Sequence, residues 1–503
     1  MSREQYPLER LPRVERNHGP VPFVPREGAA RAPLLFILAG LSVSIMAVSR
    51  GIPAPVSSVL APLTVWGLLL ILSEYRPPRF FSYGAFLSLL AFACALSCGY
   101  RLVSAATIKA GVLQDEGTVV LERSWGSRRI VLVDASSGTY LMRLSPNRYI
   151  LEGDALFFTG RTKTIAPRPG SSFREDLYWE ARGVSIEVVP ESITRKAGGW
   201  SLARWRTALR KRILLTLPYR TRGYLLAAVL GVRDPDLTEA HRRWGTSHLL
   251  AVSGFHVGLV AFAVWRFLSF PALRLVCSRR LAAVLSSLFL WGYVLLAGGA
   301  PGALRAALMI QALLLGTVLG RKGTPLNSVS LAALLLLLWR PAWFFDIGWR
   351  LSVMAALLLA GLGERRLSLW MLPLSSLFIW FAAFPQVTAT FGEVPVAGIA
   401  LNLVALPLFS LLYPIALFLS LPLLLSVPSG EIFAGTAEGL FSLWEWVADS
   451  AASFFPWTLS WSPLLATLGG GLFLLTVTGG LFPLRGRTIA GAGILLLAAV
   501  FFL

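Results

Sequence analysis

Residues 248–258 read HLLAVSGFHVG. This apolar run carries two imidazoles, His248 and His256, with a Ser253-Gly254 pair between them. A lipid-facing helix has no use for either feature. Backbone that breaks at membrane depth is tolerated only where it is buried in protein or lines water. The stretch therefore predicts a helical membrane protein with some spans broken at an internal polar site, a device common where substrates cross. In an unbroken helix, positions eight apart lie about 80° apart, so both rings could face one cavity. Two other readings stay open. The histidines could be packed and satisfied inside the bundle. A metal site is the weaker alternative, because no cysteine or carboxylate cluster nearby supplies further zinc ligands.

The composition widens this reading to the whole chain. Of 503 residues, 55% are hydrophobic and 14% charged, and the mean hydropathy is +0.66. A soluble domain has about 25% charged residues. Apolar runs long enough to approach the roughly 30 Å of hydrocarbon occur at 33–49, 52–73 and 80–100. They resume at 246–268, 281–298, 301–320, 325–339, 345–362, 367–391, 396–425, 431–455, 463–483 and 487–503. The expected fold is thus a polytopic α-helical membrane protein of about 13 spans. Residues 1–32 are polar and rich in Pro and Arg and lack the pattern of a cleaved signal. They are expected to form a cytoplasmic tail. Arg and Lys concentrate in alternate short loops, at 74–79, 274–280, 321–322, 365–366 and 485–487. That asymmetry puts the N-terminus in the cytoplasm and the C-terminus outside. The net charge is +20, with 41 Arg against 5 Lys. Arg binds phosphate in planar, bidentate fashion, and this suits lipid headgroups and other polyanions alike. Cys94 and Cys98, one turn apart in an apolar run, read as packing residues; Cys277 stands alone.

Between the third and fourth runs lies a polar block, 102–233. Short β-branched or aromatic runs at 117–124, 127–134, 138–144, 154–161 and 184–189 are separated by Gly, Ser and Asn turns, with a helix-like piece at 173–181. Five short strands and one helix fit a small Greek-key barrel of the OB type, inserted after the third span. From Arg195 to Arg222 there are nine Arg or Lys and no Asp or Glu, and Trp200, Leu202, Trp205, Leu209 and Ile213 fall near helical spacing. This predicts a basic amphipathic helix at the membrane surface. The expected organisation is a tail (1–32), first spans (33–101), barrel (102–194), interfacial helix and linker (195–233), and a second membrane domain (234–503).

Ionisable side chains inside apolar segments are costly and mark candidate sites. Arg305 lies in APGALRAALM. Asp346 and Arg350 in FFDIGWRLS are four apart and can pair on one helix face. Glu393 and Asn402 flank the apolar part of FGEVPVAGIALNLVALP, where Pro395 and Pro407 argue against one straight helix.

Taken in order, HLLAVSGFHVG, PGALRAALM (301–309), NSVSLAALLLLLWRPAWFFDIGWRLS (327–352) and FPQVTATFGEVPVAGIALNLVALPL (384–408) resemble the successive membrane-domain motifs of the ComEC family of competence proteins. RPGSSFREDLYWEARGV (168–184) is similar to the end of that family's OB-like domain. The resemblance implies a channel in the cytoplasmic membrane that passes single-stranded DNA inward during natural transformation, with the barrel outside on the incoming strand. By position it places His248, Ser253, Gly254, His256 and Gly258 in the channel signature. It places Arg305, Asp346, Arg350, Glu393 and Asn402 at the later polar positions.

Two departures matter. The family's middle motif commonly reads Gly-Phe-Gln; here it is Gly348-Trp349-Arg350. Many members also continue into a metallo-β-lactamase-like domain, whereas this chain stops in its last apolar run and contains no HxHxDH cluster. No zinc nuclease activity of that kind, no other enzymatic activity and no cofactor are expected. Without a GxxxxGK[ST] loop, energy would come from a separate ATPase, a DNA-pulling protein or a gradient. A DNA receptor and a separate nuclease would be further partners, beside the membrane lipids.

Bases stack on aromatics while the backbone follows cations. The expected DNA face is Trp125, Arg128, Arg129, Tyr140, Arg143, Arg148 and Tyr149, with Arg204, Arg206, Arg210, Lys211 and Arg212 as a cationic collar. The main alternative is a transporter of a small or lipid-linked molecule using the broken helices as a midplane site. An intramembrane enzyme built on His248, Ser253 and His256 is weaker, since no carboxylate nearby orients a histidine.

Overall fold

The computed structural model describes residues 32–72, 80–104, 111–125, 128–145, 147–166, 175–196, 199, 201–250, 252, 254–270, 278–320, 324–363 and 372–481. Residues 1–31 of the expected tail, Trp200, Ser253, Cys277 and the run 487–503 lie outside them.

The first apolar helices are α1 (Pro33–Ser49), α2 (Ala54–Ser58), α3 (Leu60–Leu72) and α4 (Phe80–Ser104). The expected run 52–73 is thus split after Ser58. Cys98 is buried in α4, its thiol 3.5 Å from the Leu337 carbonyl, which is a packing role.

A closed five-stranded barrel follows: β1 (Val112–Trp125), β2 (Arg128–Ala135), β3 (Gly138–Leu144), β4 (Ala155–Thr164) and β5 (Ile186–Lys196). The order around it is β1-β2-β3-β5-β4, with β3 and β5 parallel and every other pair antiparallel. Strand β1 closes the barrel because it is long enough to serve two partners. Its first half pairs with β4, its second with β2, and a bulge at Val119–Leu121 turns it between them. Val119, Val131, Val133, Tyr140, Met142, Phe158 and Val188 fill the interior. The opposite side of β2 and β3 presents Ile130, Leu132 and Leu141. There a short helix, α5 (Glu175–Glu180), covers them with Trp179.

The basic stretch is not one helix. Residues 195–196 complete β5, and Leu217-Pro218 separates α6 (Leu202–Thr216) from α7 (Tyr219–Leu225). Ser201 caps α6 by accepting from the Arg204 amide. A π-turn (Leu226–Leu230) and α8 (Pro235–Arg243) lead to a 3-10 turn, Ser247–Leu250. Asp234 caps α8, with Pro235 at its first position.

The second helical domain contains α9 (Gly254–Leu268), α10 (Arg279–Leu296), α11 (Pro301–Val318), α12 (Pro325–Trp339), α13 (Ile347–Gly363), α14 (Leu372–Phe391), α15 (Ala397–Leu424), α16 (Gly430–Phe454) and α17 (Pro463–Leu481). A 3-10 turn, Pro341–Phe345, joins α12 to α13, and a two-stranded sheet pairs β6 (Glu393–Pro395) with β7 (Thr458–Ser460). Pro395 does end an element, but Pro407 lies inside α15 with Pro414 and Pro422. In a packed bundle, neighbours and local adjustments re-satisfy the carbonyls that proline frees.

Among the described residues, three helices are long and apolar enough to cross a membrane: Phe81–Val103, Arg279–Leu296 and Ala397–Leu424. Seven shorter apolar helices accompany them. By contrast, α16 carries Glu431, Glu438, Glu445 and Asp449, and Glu438 accepts from the Arg220 and Thr221 amides at the start of α7.

Candidate functional site

The opening stretch is broken as its Ser-Gly pair suggests. The 3-10 turn ends at Leu250 and α9 starts at Gly254, so His248 and His256 do not share one continuous helix. Small residues seat the break on α11. A Cβ on Gly302 would lie 2.5 Å from the Val252 carbonyl oxygen, and one on Gly254 would meet Ala306 at 3.3 Å. His256 is buried with its ring 4.7 Å from that of Tyr413, and the Tyr413 hydroxyl donates to the Leu249 carbonyl at 3.0 Å. Tyr413 therefore holds both sides of the break, a role that nothing in the local sequence signals. His248 is exposed. Asn402 is buried at the start of α15 and donates to the Gly245 carbonyl at 3.3 Å. The two backbones meet there without side chains: a Cβ on Gly245, whose φ is +70°, would stand 2.9 Å from Gly398 Cα.

Arg305 projects from α11 and is 6% exposed. Asp346 sits at the start of α13 and accepts from the Trp349 amide at 2.9 Å. The expected Asp346–Arg350 ion pair does not form. Asp346 instead takes Arg182, which the barrel supplies, at 3.1 Å, and stands 4.0 Å from Arg305. Arg182 was missed because its partner is 164 residues away; its only signal was membership of the 168–184 stretch. The Arg182 guanidinium also stacks 3.5 Å over the Tyr178 ring and donates to the Tyr178 carbonyl. Next to it, Trp343 Nε1 donates to the Ala181 carbonyl. The end of the barrel's α5 segment is thus docked on the 3-10 turn before α13. Glu393 lies apart from this cluster: it is exposed in β6, where Thr458 donates to it at 2.8 Å.

A second joint runs through α6. Arg206 donates to Glu152 of the barrel at 2.7 Å, to the Leu296 carbonyl at 2.7 Å and to the Leu230 carbonyl at 3.1 Å. Thr207 donates to the Glu152 carbonyl, and Arg210 pairs with Glu122 at 2.9 Å. Burial pushes the Glu152 carboxyl up from its ordinary range, with Arg206 pulling the other way.

These contacts correct part of the expected DNA face. Tyr140 is 4% exposed and belongs to the barrel core, so it offers no face to a base. Arg206 is buried and fully engaged, a tie between domains rather than an accessible cation. Arg143 is committed to Glu175 and Glu187, and Arg129 to Glu122 and the Arg148 carbonyl. Arg212 is exposed but bonds to the Leu424 carbonyl and Ser426. Still exposed are Arg128, Arg148, Tyr149, Arg204 and Lys211. Trp125 ends β1 opposite Arg128. Arg195, which the sequence reading did not single out as a DNA contact, places its guanidinium 5.6 Å from the Tyr149 ring while paired with Asp154. No group of three or more His, Cys, Asp or Glu placed to hold a metal ion occurs among the described residues.

The fold and this site define a helical membrane protein with buried guanidiniums and a β-barrel docked beside them. The competence protein family model matches residues 228–485, more than half the chain, and the chain belongs to that family. It is also similar to ComE operon protein 3 of Bacillus subtilis (strain 168), with 28% identity over 320 residues. That match covers 61% of this chain and 39% of the relative. No solved structure matches. The chain thus spans about two fifths of the length of that relative.

Proposed function

We propose that this chain conducts single-stranded DNA across the cytoplasmic membrane during natural transformation. The observation that carries the reading is the joint at Asp346. A five-stranded barrel is docked on the membrane helices at the place where those helices keep buried cations. A polyanion needs such a route, since each nucleotide brings a charge that lipid excludes. The strand-order of the barrel and its exposed Tyr149, beside Arg195 and near Arg148, support an OB-like entry domain that stacks bases and follows the backbone. His248, the 250–254 break with Ser253, Gly254, His256 and Gly258, Arg305, Asp346, Arg350 and Asn402 are the proposed path, with Glu393 at its edge. The N-terminus is cytoplasmic and the barrel outside, in this reading. A DNA receptor, a cytoplasmic ATPase or pulling protein, and a separate nuclease complete the system.

The test uses the purified full chain and a fluorescent strand titrated across a salt series. Binding should favour single strand over duplex, and log affinity should fall by about 0.7 per phosphate contact for each decade of salt. In cells, R305A and H256A proteins should insert normally and lose most transformation. Full transformation by both would sink the assignment of the path.

A further inference from the structure

Two guanidiniums flank one carboxylate at the barrel joint, and a third arginine lies one turn away along α13. Arg182 holds Asp346 Oδ2 at 3.1 Å, and Arg305 faces Oδ1 at 4.0 Å. Arg350 follows one turn along α13 from Asp346, partly buried. The balance is unusual for a structural cluster. Arg305 is nearly inaccessible, and among the described residues its Nε has no hydrogen-bond partner, nor has Arg350 Nε. Buried guanidinium donors left unmatched are expensive, and a structural ion pair would bring them to contact distance. The N-terminus of α13 adds backbone donors to the same spot, one of which, Trp349 N–H, already serves Asp346. Gly348 keeps the space open: a Cβ there would lie 2.9 Å from Asp346 Oδ1 and 3.3 Å from Arg305 Nη2.

We infer that Arg182, Arg305 and Arg350 form a phosphodiester site in which Asp346 is the internal occupant, and that an incoming strand takes Arg182 from Asp346 and frees the barrel from α13. This rests on the single-strand reading above and adds to it a binding site and a motion. Like a carboxylate, a phosphodiester presents two oxygens to a guanidinium fork. Replacing one by the other preserves the number of charge-assisted bonds that Arg182 makes, while Asp346 keeps the Trp349 amide and Arg305. Asp346 can then return as each phosphate moves on, and the strand is not trapped. The α6 joint, with Arg206 and Glu152 buried on each other, stays closed and serves as the pivot. A phospholipid headgroup carries the same phosphodiester chemistry, so the experiment separates the two sources.

The experiment measures barrel position in the full chain. Spin labels go on Lys163 of β4 and Leu335 of α12, both exposed, in a background with Cys94, Cys98 and Cys277 replaced by Ala. The protein is held in phosphatidylcholine nanodiscs, and a short oligothymidylate is added. The expected result is a shifted interlabel distance on strand binding. D346N and R182Q should show the shifted distance without any strand. Asn caps a helix as well as Asp does, so D346N removes the charge and keeps α13; R182Q leaves α13 untouched. R305A should keep the docked distance, bind the strand about tenfold more weakly, and lose about 0.7 from the salt slope.

A strand that binds and is transported while the distance stays fixed overturns the inference and leaves the channel reading intact. So does a docked distance in both D346N and R182Q. If the strand fails to bind and phosphatidylglycerol alone shifts the distance, the site takes a lipid phosphodiester. The strand form of the inference then falls together with the channel reading.

Discussion

His241 is enclosed between Tyr224, whose hydroxyl lies 3.0 Å from Nε2, and Thr246, whose hydroxyl lies 2.9 Å from Nδ1. Burial holds its pKa down at about 3, with the hydrogen bond to the Thr246 backbone opposing it and His248 adding to the fall. An unfolded histidine titrates near 6.5. Between those values the unfolded chain binds a proton that the folded chain refuses. Stability is therefore full above about pH 6.5 and declines as pH falls toward 3. From pH 7.5 to 5 the loss from this ring is about 2 kcal/mol. Thermal melts of the solubilised protein should show it, and H241Q should flatten that pH dependence. Arg206 makes a second residue-scale case. Its pair with Glu152 has side chains only 8% and 7% exposed. R206M leaves a buried carboxylate alone and should cost about 3–5 kcal/mol. The double variant R206M/E152L should recover part of this, since an apolar pair of similar volume strands no charge, while the Leu296 and Leu230 carbonyls still lose their donor. A double-mutant cycle on melting free energies checks both.

Between α11 and the break at 250–254, the deciding contact is backbone on backbone. Gly302 presses against the Val252 carbonyl, and the Cβ of an alanine would stand 2.5 Å from it, closer than real Cβ atoms come. G302A must push the 3-10 turn or α11 aside, at about 1–3 kcal/mol. The expected outcome is a lower melting temperature together with reduced transformation, because the displaced segment carries His248 and Val252. An unchanged melt would mean that the break tolerates movement and does not rely on this contact. The elements themselves were largely legible. Thr324, Ser278 and Asp234, which the sequence reading did not single out, each cap the helix that follows. The β-branched and aromatic runs at 127–134 and 138–144 reappear as two strands with Val131, Val133, Tyr140 and Met142 on the inner side. The basic helix was legible in position but not in extent, since Pro218 supplies an N-cap for α7 instead of a mid-helix residue.

Among the described residues, two charged joints tie the barrel to the helices, one at Arg182–Asp346 and one at Arg206–Glu152. Each is a charged contact backed by packing, and two joints in parallel should be non-additive. R182Q alone should leave one cooperative unfolding transition, because α6 still ties the barrel down. R182Q/R206M should separate barrel and helical domain into two transitions in calorimetry. A single transition in the double variant would show that apolar contact, such as Trp343 against Ala181, is enough to couple them.

Hydropathy and short β-branched or aromatic runs between turn residues are local properties, repeated over many positions, and they determined that this chain would span a membrane with a small barrel after its first helices. The ordered polar motifs likewise singled out Arg305, Asp346 and Asn402 as residues that lipid would not accept. Which groups those residues meet was decided only by the tertiary structure. Asp346 turned from its helical neighbour Arg350 to Arg182, and Arg206 turned inward from a basic face that looked free. An arginine on a helix surface and one bridging two domains have the same local sequence. They differ in the carboxylates and carbonyls that distant segments bring to them, and a charge buried away from water takes the partner that best repays its lost hydration.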